Sequence, residues 1–200
     1  MKAVSKNICI YNRNGFTLVE VLVAISLLLL GLVGPMAFLI RVGNATEVAN
    51  QRAQATFLAQ EGIELVQKVR DDAWVVWAAG NPPFDNASNP WGNITSQFND
   101  CGDVGPTAGC ALWLDDSGQV EIQSCSDSNG CRLRFNGSSS VRSRFNFSTG
   151  TETPFTRRVV VNVDGSEMNI QSIVTWRAGS LIATQRVQSV TRLVNIYEET

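Results

Sequence analysis

The sequence predicts an α+β protein: a long N-terminal helix, one half suited to a membrane and the other amphipathic, packed on an antiparallel β-sheet head. Three observations lead there. An apolar run from Phe16 to Ile40 passes without a break into a segment of helical periodicity. From Ala111 onward the texture changes to short alternating runs bounded by Gly, Ser and Asp. The turns between those runs are short enough for antiparallel pairing.

The apolar run reads FTLVEVLVAISLLLLGLVGPMAFLI and ends at Arg41. As a helix it would span roughly 37 Å, enough to cross a bilayer core with some tilt. Lys2, Lys6 and Arg13 are the only charges before it, and all 18 acidic residues lie after Gly15. The positive-inside rule therefore puts residues 1–15 in the cytoplasm and the bulk of the chain outside. A secretory signal would have a shorter apolar core. A lipoprotein signal would place Cys9 after the apolar stretch, and Cys9 precedes it. A plain single-span anchor leaves Glu20 without a purpose, because a central carboxylate in lipid costs on the order of 2.5–3.5 kcal/mol. If the chain is cut before Phe16, a new α-amino group appears four residues from Glu20. Amine and carboxylate can then pair, within one chain or between neighbours, and set the axial register of packed helices.

The string Gly15-Phe16-Thr17-Leu18-Val19-Glu20, with a short basic leader before it and an apolar run after it, resembles the type IV prepilin signature. The resemblance covers about the first seventy residues. It implies cleavage after Gly15 by prepilin peptidase, N-methylation of Phe16 and a docking role for Glu20 in assembly. Gly31, Gly34 and Pro35 stand where many pilins carry a helix-breaking proline. Pro35 removes a backbone hydrogen bond and is expected to kink or loosen the helix near Gly31. The implied protein is a minor type IV pilin, a structural subunit that enters or primes a pilus. The alternatives are a type II secretion pseudopilin and a DNA-uptake competence pilin. Implied partners are prepilin peptidase, other pilins or pseudopilins through the N-terminal helix, an inner-membrane assembly platform and membrane lipid. The location follows: a single-pass cell-membrane protein before assembly, then part of a pilus or the cell surface.

Past Arg41, Ala45, Ala49, Ala53, Leu58, Ile63, Val66 and Val69 recur near helical spacing, and the helix is expected to stop near Arg70–Asp72. Glu64 and Lys68 form an i, i+4 pair, and Gly62 is a weak point. The stretch LAQEGIELVQKVRDD resembles minor pilins and I- or V-class pseudopilins. The organisation is thus a leader over 1–15, an assembly helix over 16–40, an amphipathic continuation over 41–72 and a β-rich head over 73–200. Residues 78–110, dense in Gly, Pro and Asn, read as an irregular connection. Trp74, Trp77, Trp91 and Trp113 are expected to pack over the helix or sheet. Leu112–Leu114 and Val120–Gln123 read as a hairpin around Asp115-Asp116-Ser117-Gly118. Further strands are expected over Cys131–Asn136, Val141–Phe147, Phe155–Val163, Asn169–Arg177 and Leu181–Tyr197.

The five cysteines divide into Cys9 and a cluster of Cys101, Cys110, Cys125 and Cys131. An even cluster in a loop-rich region suggests two disulfides and an oxidising compartment. Four cysteines allow three connectivities; Cys101–Cys110 and Cys125–Cys131 are favoured because both close short loops. Zinc fits poorly, since the spacings are not CxxC and the chain has no histidine. That absence also removes a histidine-based triad, and no nucleophile–base constellation emerges. No catalytic residue, cofactor or metal ligand is therefore expected. Asp115, Asp116 and Asp127 near Asn129 have oxygen ligands suited to calcium, but Asp-Ser-Gly sequences mostly make turns.

Residues 71–130 hold nine acids and no Lys or Arg, whereas 131–192 hold nine Arg against Glu152, Asp164 and Glu167. Arg132 with Arg134, Arg142 with Arg144, and Arg157–Arg158 would suit a nucleic-acid backbone. Neutralisation of this basic sheet by the acidic 71–130 region is the favoured reading, and nucleic acid is not an expected partner.

Overall fold

In a computed structural model of the chain, the described residues are 15–80, 89–102, 108–125, 130–138, 145–177 and 183–195. Several expectations lie outside them. These are the leader with Lys2, Lys6, Cys9 and Arg13, the pair Arg142 and Arg144, Asp127 with Asn129, and the outer ends of the strands expected over 141–147 and 181–197. Two compact units divide the chain, 1–47 and 48–200. Helix α1 (Leu18–Ala78) contributes to both, and each unit is described by itself.

In the first unit every described residue from Gly15 onward is exposed, including the whole apolar run. The helix is long and apolar enough to cross a membrane. Hydroxyls on it satisfy themselves: Ser26 donates to the Leu22 carbonyl at 2.8 Å and Thr46 to the Val42 carbonyl at 2.9 Å. Local satisfaction of this kind is what lipid demands of a hydroxyl. α1 runs through Gly31, Gly34 and Pro35 and is helical on both sides of the proline. Proline costs the ladder one donor, and the flanking Leu, Val and Met positions keep enough helix propensity to carry the turn across it.

The second unit is an α+β head in which the rest of α1 packs on a seven-stranded antiparallel sheet. The strands are β1 (Cys110–Leu114), β2 (Val120–Ser124), β3 (Arg132–Phe135), β4 (Phe145–Asn146), β5 (Thr151–Asp164), β6 (Glu167–Trp176) and β7 (Gln185–Val194). β5 organises the sheet. One of its edges pairs with β6, which pairs with β7, and the other edge takes both the β1–β2 and β3–β4 hairpins. Alternation along β6 buries Met168, Ile170, Ser172, Val174 and Trp176 towards the helix.

The helix outlasts its expected end near Asp72 and reaches Ala78, taking in Trp74 and Trp77. Packing explains the extension: Ala73 is buried and Trp74 lies against the core, so the last turns are held from outside. The buried stripe also differs in its first half. Ala55, Leu58, Ala59, Gly62, Ile63, Leu65, Val66 and Val69 face the sheet, whereas Ala45, Ala49 and Ala53 are exposed. Alanine carries too little hydrophobic contrast to fix a face by itself. The described part of residues 78–110 is less irregular than its composition suggests. Helix α2 (Trp91–Ser96) and a tight turn at Asn99–Cys101 put Trp91, Ile94, Phe98 and Cys101 into the main core. The Asn89 side chain accepts from the Trp91 N–H at 3.1 Å, and the Trp91 indole donates to the Gly165 carbonyl at 3.1 Å.

The structure pairs Cys101 with Cys110 and Cys125 with Cys131. The first bond ties the Asn99–Cys101 turn to the start of β1. The second bridges the end of β2 and the start of β3. Gly109 precedes Cys110 with φ +100°, and a Cβ there would sit 2.9 Å from the Val159 carbonyl oxygen. Glycine is thus required both by the backbone angle and by the approach of β1 to β5.

Gly62 is a closer approach still. A Cβ on it would overlap the Ser172 hydroxyl and lie 3.1 Å from Val159 Cγ2. The residue that weakens the helix locally is what lets α1 lie down on β6. Gly62→Ala, stabilising by about 1 kcal/mol in a free helix, should here destabilise by about 1–3 kcal/mol, read as a lowered urea midpoint.

Arg157 is 0% exposed. Its Nη1 pairs with Glu61 Oε2 at 2.7 Å and donates to the Leu58 carbonyl at 3.3 Å; its Nη2 donates to the Leu112 carbonyl. The guanidinium carbon lies 5.6 Å from the centroid of the Phe147 ring. Burial pushes the Arg157 pKa below its ordinary value, and Glu61 opposes that shift. Glu61→Ala should lower stability by about 2–3 kcal/mol, and Glu61→Gln, which keeps an acceptor, by less. Equal midpoints for the two variants in urea denaturation would contradict this.

Candidate processing and assembly segment

Gly15, Phe16 and Thr17 precede the first helical residue, Leu18. The Gly15–Phe16 peptide bond is therefore in exposed chain outside the helix, and Phe16 is 79% exposed. A Cβ at Gly15 would meet nothing within 4 Å, and the same holds at Gly31 and Gly34. Nothing among the described residues demands glycine at these three places. Within a helix each interior glycine costs about 1 kcal/mol relative to alanine.

Thr17 caps α1. Its hydroxyl accepts from the Glu20 N–H at 3.3 Å, and its carbonyl accepts from the Val21 N–H at 3.2 Å. With Glu20 three residues on, Thr17-Leu18-Val19-Glu20 has the composition of a capping box, and Phe16 and Val21 occupy the staple positions. This start signal was readable in the sequence as Thr-x-x-Glu before an apolar run. Glu20 sits in the first turn, where the helix dipole favours a carboxylate. No cation is placed against it among the described residues.

The other candidate chemistry resolves differently. Asp115 spends its carboxylate on its own turn: it accepts from the Ser117 hydroxyl at 2.7 Å and from the Gln119 N–H at 2.7 Å. Those bonds hold its pKa below the usual carboxylate range. Among the described residues no three metal-ligating side chains converge. The described strand arginines that form ion pairs do so with Glu61, Glu152 and Glu167, none of them in the acidic 71–130 stretch. Arg157 and Arg158 lie on opposite faces of β5, so the run of arginines is not one surface. Glu152 and Glu167 on the strands and Glu61 on α1 neutralise Arg132, Arg134, Arg192 and Arg157, and only Arg134 meets its acid, Glu152, directly in register.

Residues 10–34 match the prokaryotic N-terminal methylation motif. No curated protein and no solved structure matches the chain. The match begins before Gly15, spans Gly15, Phe16 and Glu20, and ends beside Pro35, so it overlies the first turns of α1.

Thr17→Val, which keeps the shape but loses the acceptor, should fray the first turn at a cost of about 0.5–2 kcal/mol, while Thr17→Ser should not. Amide exchange at Glu20 and Val21 in detergent micelles reads the difference. Unchanged protection in the valine variant would remove the cap.

Proposed function

We infer that this chain, a type IV prepilin-like protein by its N-terminal methylation motif and its pilin-like α+β fold, is a minor pilin: a membrane-inserted structural subunit assembled into, or priming, a pilus filament. The motif implies processing by prepilin peptidase and assembly with other pilins. Cleavage falls after Gly15, the new terminus is N-methylated at Phe16, and the head is extracytoplasmic. The observation that carries the reading is the carboxylate of Glu20 in an exposed apolar helix, with no cation beside it among the described residues.

The chemistry runs as follows. Hydrolysis of the Gly15–Phe16 bond frees an amine one helical turn from Glu20. In lipid that carboxylate is costly alone and favourable when paired, so it seeks an amine on its own or an adjacent subunit. Pairing between chains fixes how far one helix slides past the next. Gly31, Gly34 and Pro35 leave the same helix narrow and short of one hydrogen bond, which suits close packing between chains. The disulfide-tied head supports life outside the cytoplasm. Glycine at 15 then answers to the peptidase, since the fold itself places nothing near it.

Expressed with a prepilin peptidase, the mature protein should begin at N-methylated Phe16 by terminal sequencing and mass spectrometry. An intact Met1 would refute the processing. Glu20→Ala should insert normally into membrane yet enter filaments on the order of tenfold less. Filament incorporation equal to the parent would remove the assembly role of Glu20.

A further inference from the structure

The face of the sheet turned away from α1 carries a basic groove that the assembly reading does not use. Arg132 of β3 pairs in register with Thr156 of β5, Thr156 with Thr175 of β6, and Thr175 with Arg186 of β7. Residues directly opposite on antiparallel strands share a face. Two threonines therefore lie in a row across four strands, with an arginine at each end. A groove of about 310 Å³ opens over the row, and Arg132, Arg177, Thr156, Thr175 and Thr184 line it. Arg177 Nε donates to the Thr184 hydroxyl at 3.3 Å, which holds the guanidinium over the end of β6.

No Asp or Glu lines this groove. Arg132 donates its Nε to the Thr153 carbonyl at 3.1 Å and has Glu152 3.6 Å from Nη1, while Glu152 holds Arg134 more closely, at 2.9 Å; the paired Nη groups of Arg132 are what it offers to the groove. Arg158, on the same face two residues beyond Thr156, joins Arg177 and Arg186 in having no carboxylate partner among the described residues. The chain holds 18 acids against 16 bases, so composition does not account for this excess of cations. Elsewhere on the same face the sheet does supply an acid: Arg192 pairs with Glu167 at 3.0 Å.

We propose that this groove binds a tetrahedral oxyanion, a phosphate or sulfate group. Arginine presents a planar fork that takes two oxygens of such a group at once. Threonine hydroxyls at the floor donate to the oxygens turned towards the sheet. A carboxylate ligand would occupy one fork and leave the opposite arginine and the hydroxyls unused, which favours an anion with acceptors on all sides. Placing the groove on strands, with only one arginine in a connection, gives it a fixed spacing.

The full chain in uncharged detergent micelles, titrated first with inorganic phosphate and then with sulfate, decides the matter by calorimetry and by the arginine Nε–Hε resonances. Saturable binding is expected, weakened about tenfold by Arg132→Gln and by Arg177→Gln, and unaffected by Arg192→Gln. Arg132→Lys, which keeps charge without the fork, should fall between parent and Arg132→Gln. Arg177 is exposed beyond the end of β6, so its variant should keep the parent's urea midpoint and report on binding alone. Repeating the titration with phosphatidylglycerol vesicles and with a short DNA duplex identifies the carrier that presents the group; loss of either interaction in Arg132→Gln, with Arg192→Gln unchanged, supports the site. Absence of saturable binding to both anions, survival of binding in both glutamine variants, or equal weakening by Arg192→Gln overturns it.

Discussion

Arg157 is a charged side chain without exposed surface, and its contacts join the parts of the head that sequence separates most. Its guanidinium reaches Glu61 and the Leu58 carbonyl on α1 and the Leu112 carbonyl on β1. Its own N–H donates to the Cys131 carbonyl at 2.9 Å, at the entrance to β3. β1 pairs with β5 in register only at Cys110 and Val159, and β3 takes β5 from Thr151 to Thr156. Arg157 stands at the seam between those two stretches. A buried cation left alone is so unfavourable that the helix, both hairpins and Phe147 must close around it together. Whether the pair adds net stability over an apolar replacement is a separate matter; what it imposes is one arrangement of helix and hairpins.

The same seam explains the disulfides and the glycines. Cys125–Cys131 links the two hairpins just beside Arg157, and Ala111 packs with the bonded cysteines on the far side of the sheet. Cys101–Cys110 fixes the start of β1 where Gly109 lets it approach β5. Gly62 brings α1 close enough to β6 for Glu61, its neighbour, to meet Arg157. A bulkier residue at 62 would lift the helix and lengthen the ion pair one position away. Each of these residues is unremarkable in its own segment and constrained by another.

The N-terminal unit obeys the opposite logic. Its described side chains are exposed throughout, its glycines face open space, and the carboxylate of Glu20 has no cation beside it among the described residues. Under the proposed function these positions answer to constraints outside the molecule: a peptidase at Gly15, lipid along the apolar run, neighbouring helices at Glu20 and Gly31–Pro35. The Thr17 cap is the exception, because it serves the helix that presents Glu20.

Sequence by itself determined the features written in local periodicity and local chemistry. The apolar run, its basic leader, the glutamate at 20, the β1–β2 hairpin around Asp115 and the antiparallel strands from 151 to 194 all repeat on the period of their own element. Tertiary structure alone decided which alanines of α1 face the sheet, that α1 continues to Ala78, and that Trp91, Ile94 and Phe98 form core inside a Gly- and Pro-rich stretch. It also turned Arg157 inward while its neighbour Arg158 faces outward, one step of strand alternation apart. The physical reason is range. A helix period or a turn is settled by residues within a few positions, whereas the burial of Arg157 depends on a carbonyl 45 residues away and a carboxylate 96 residues away.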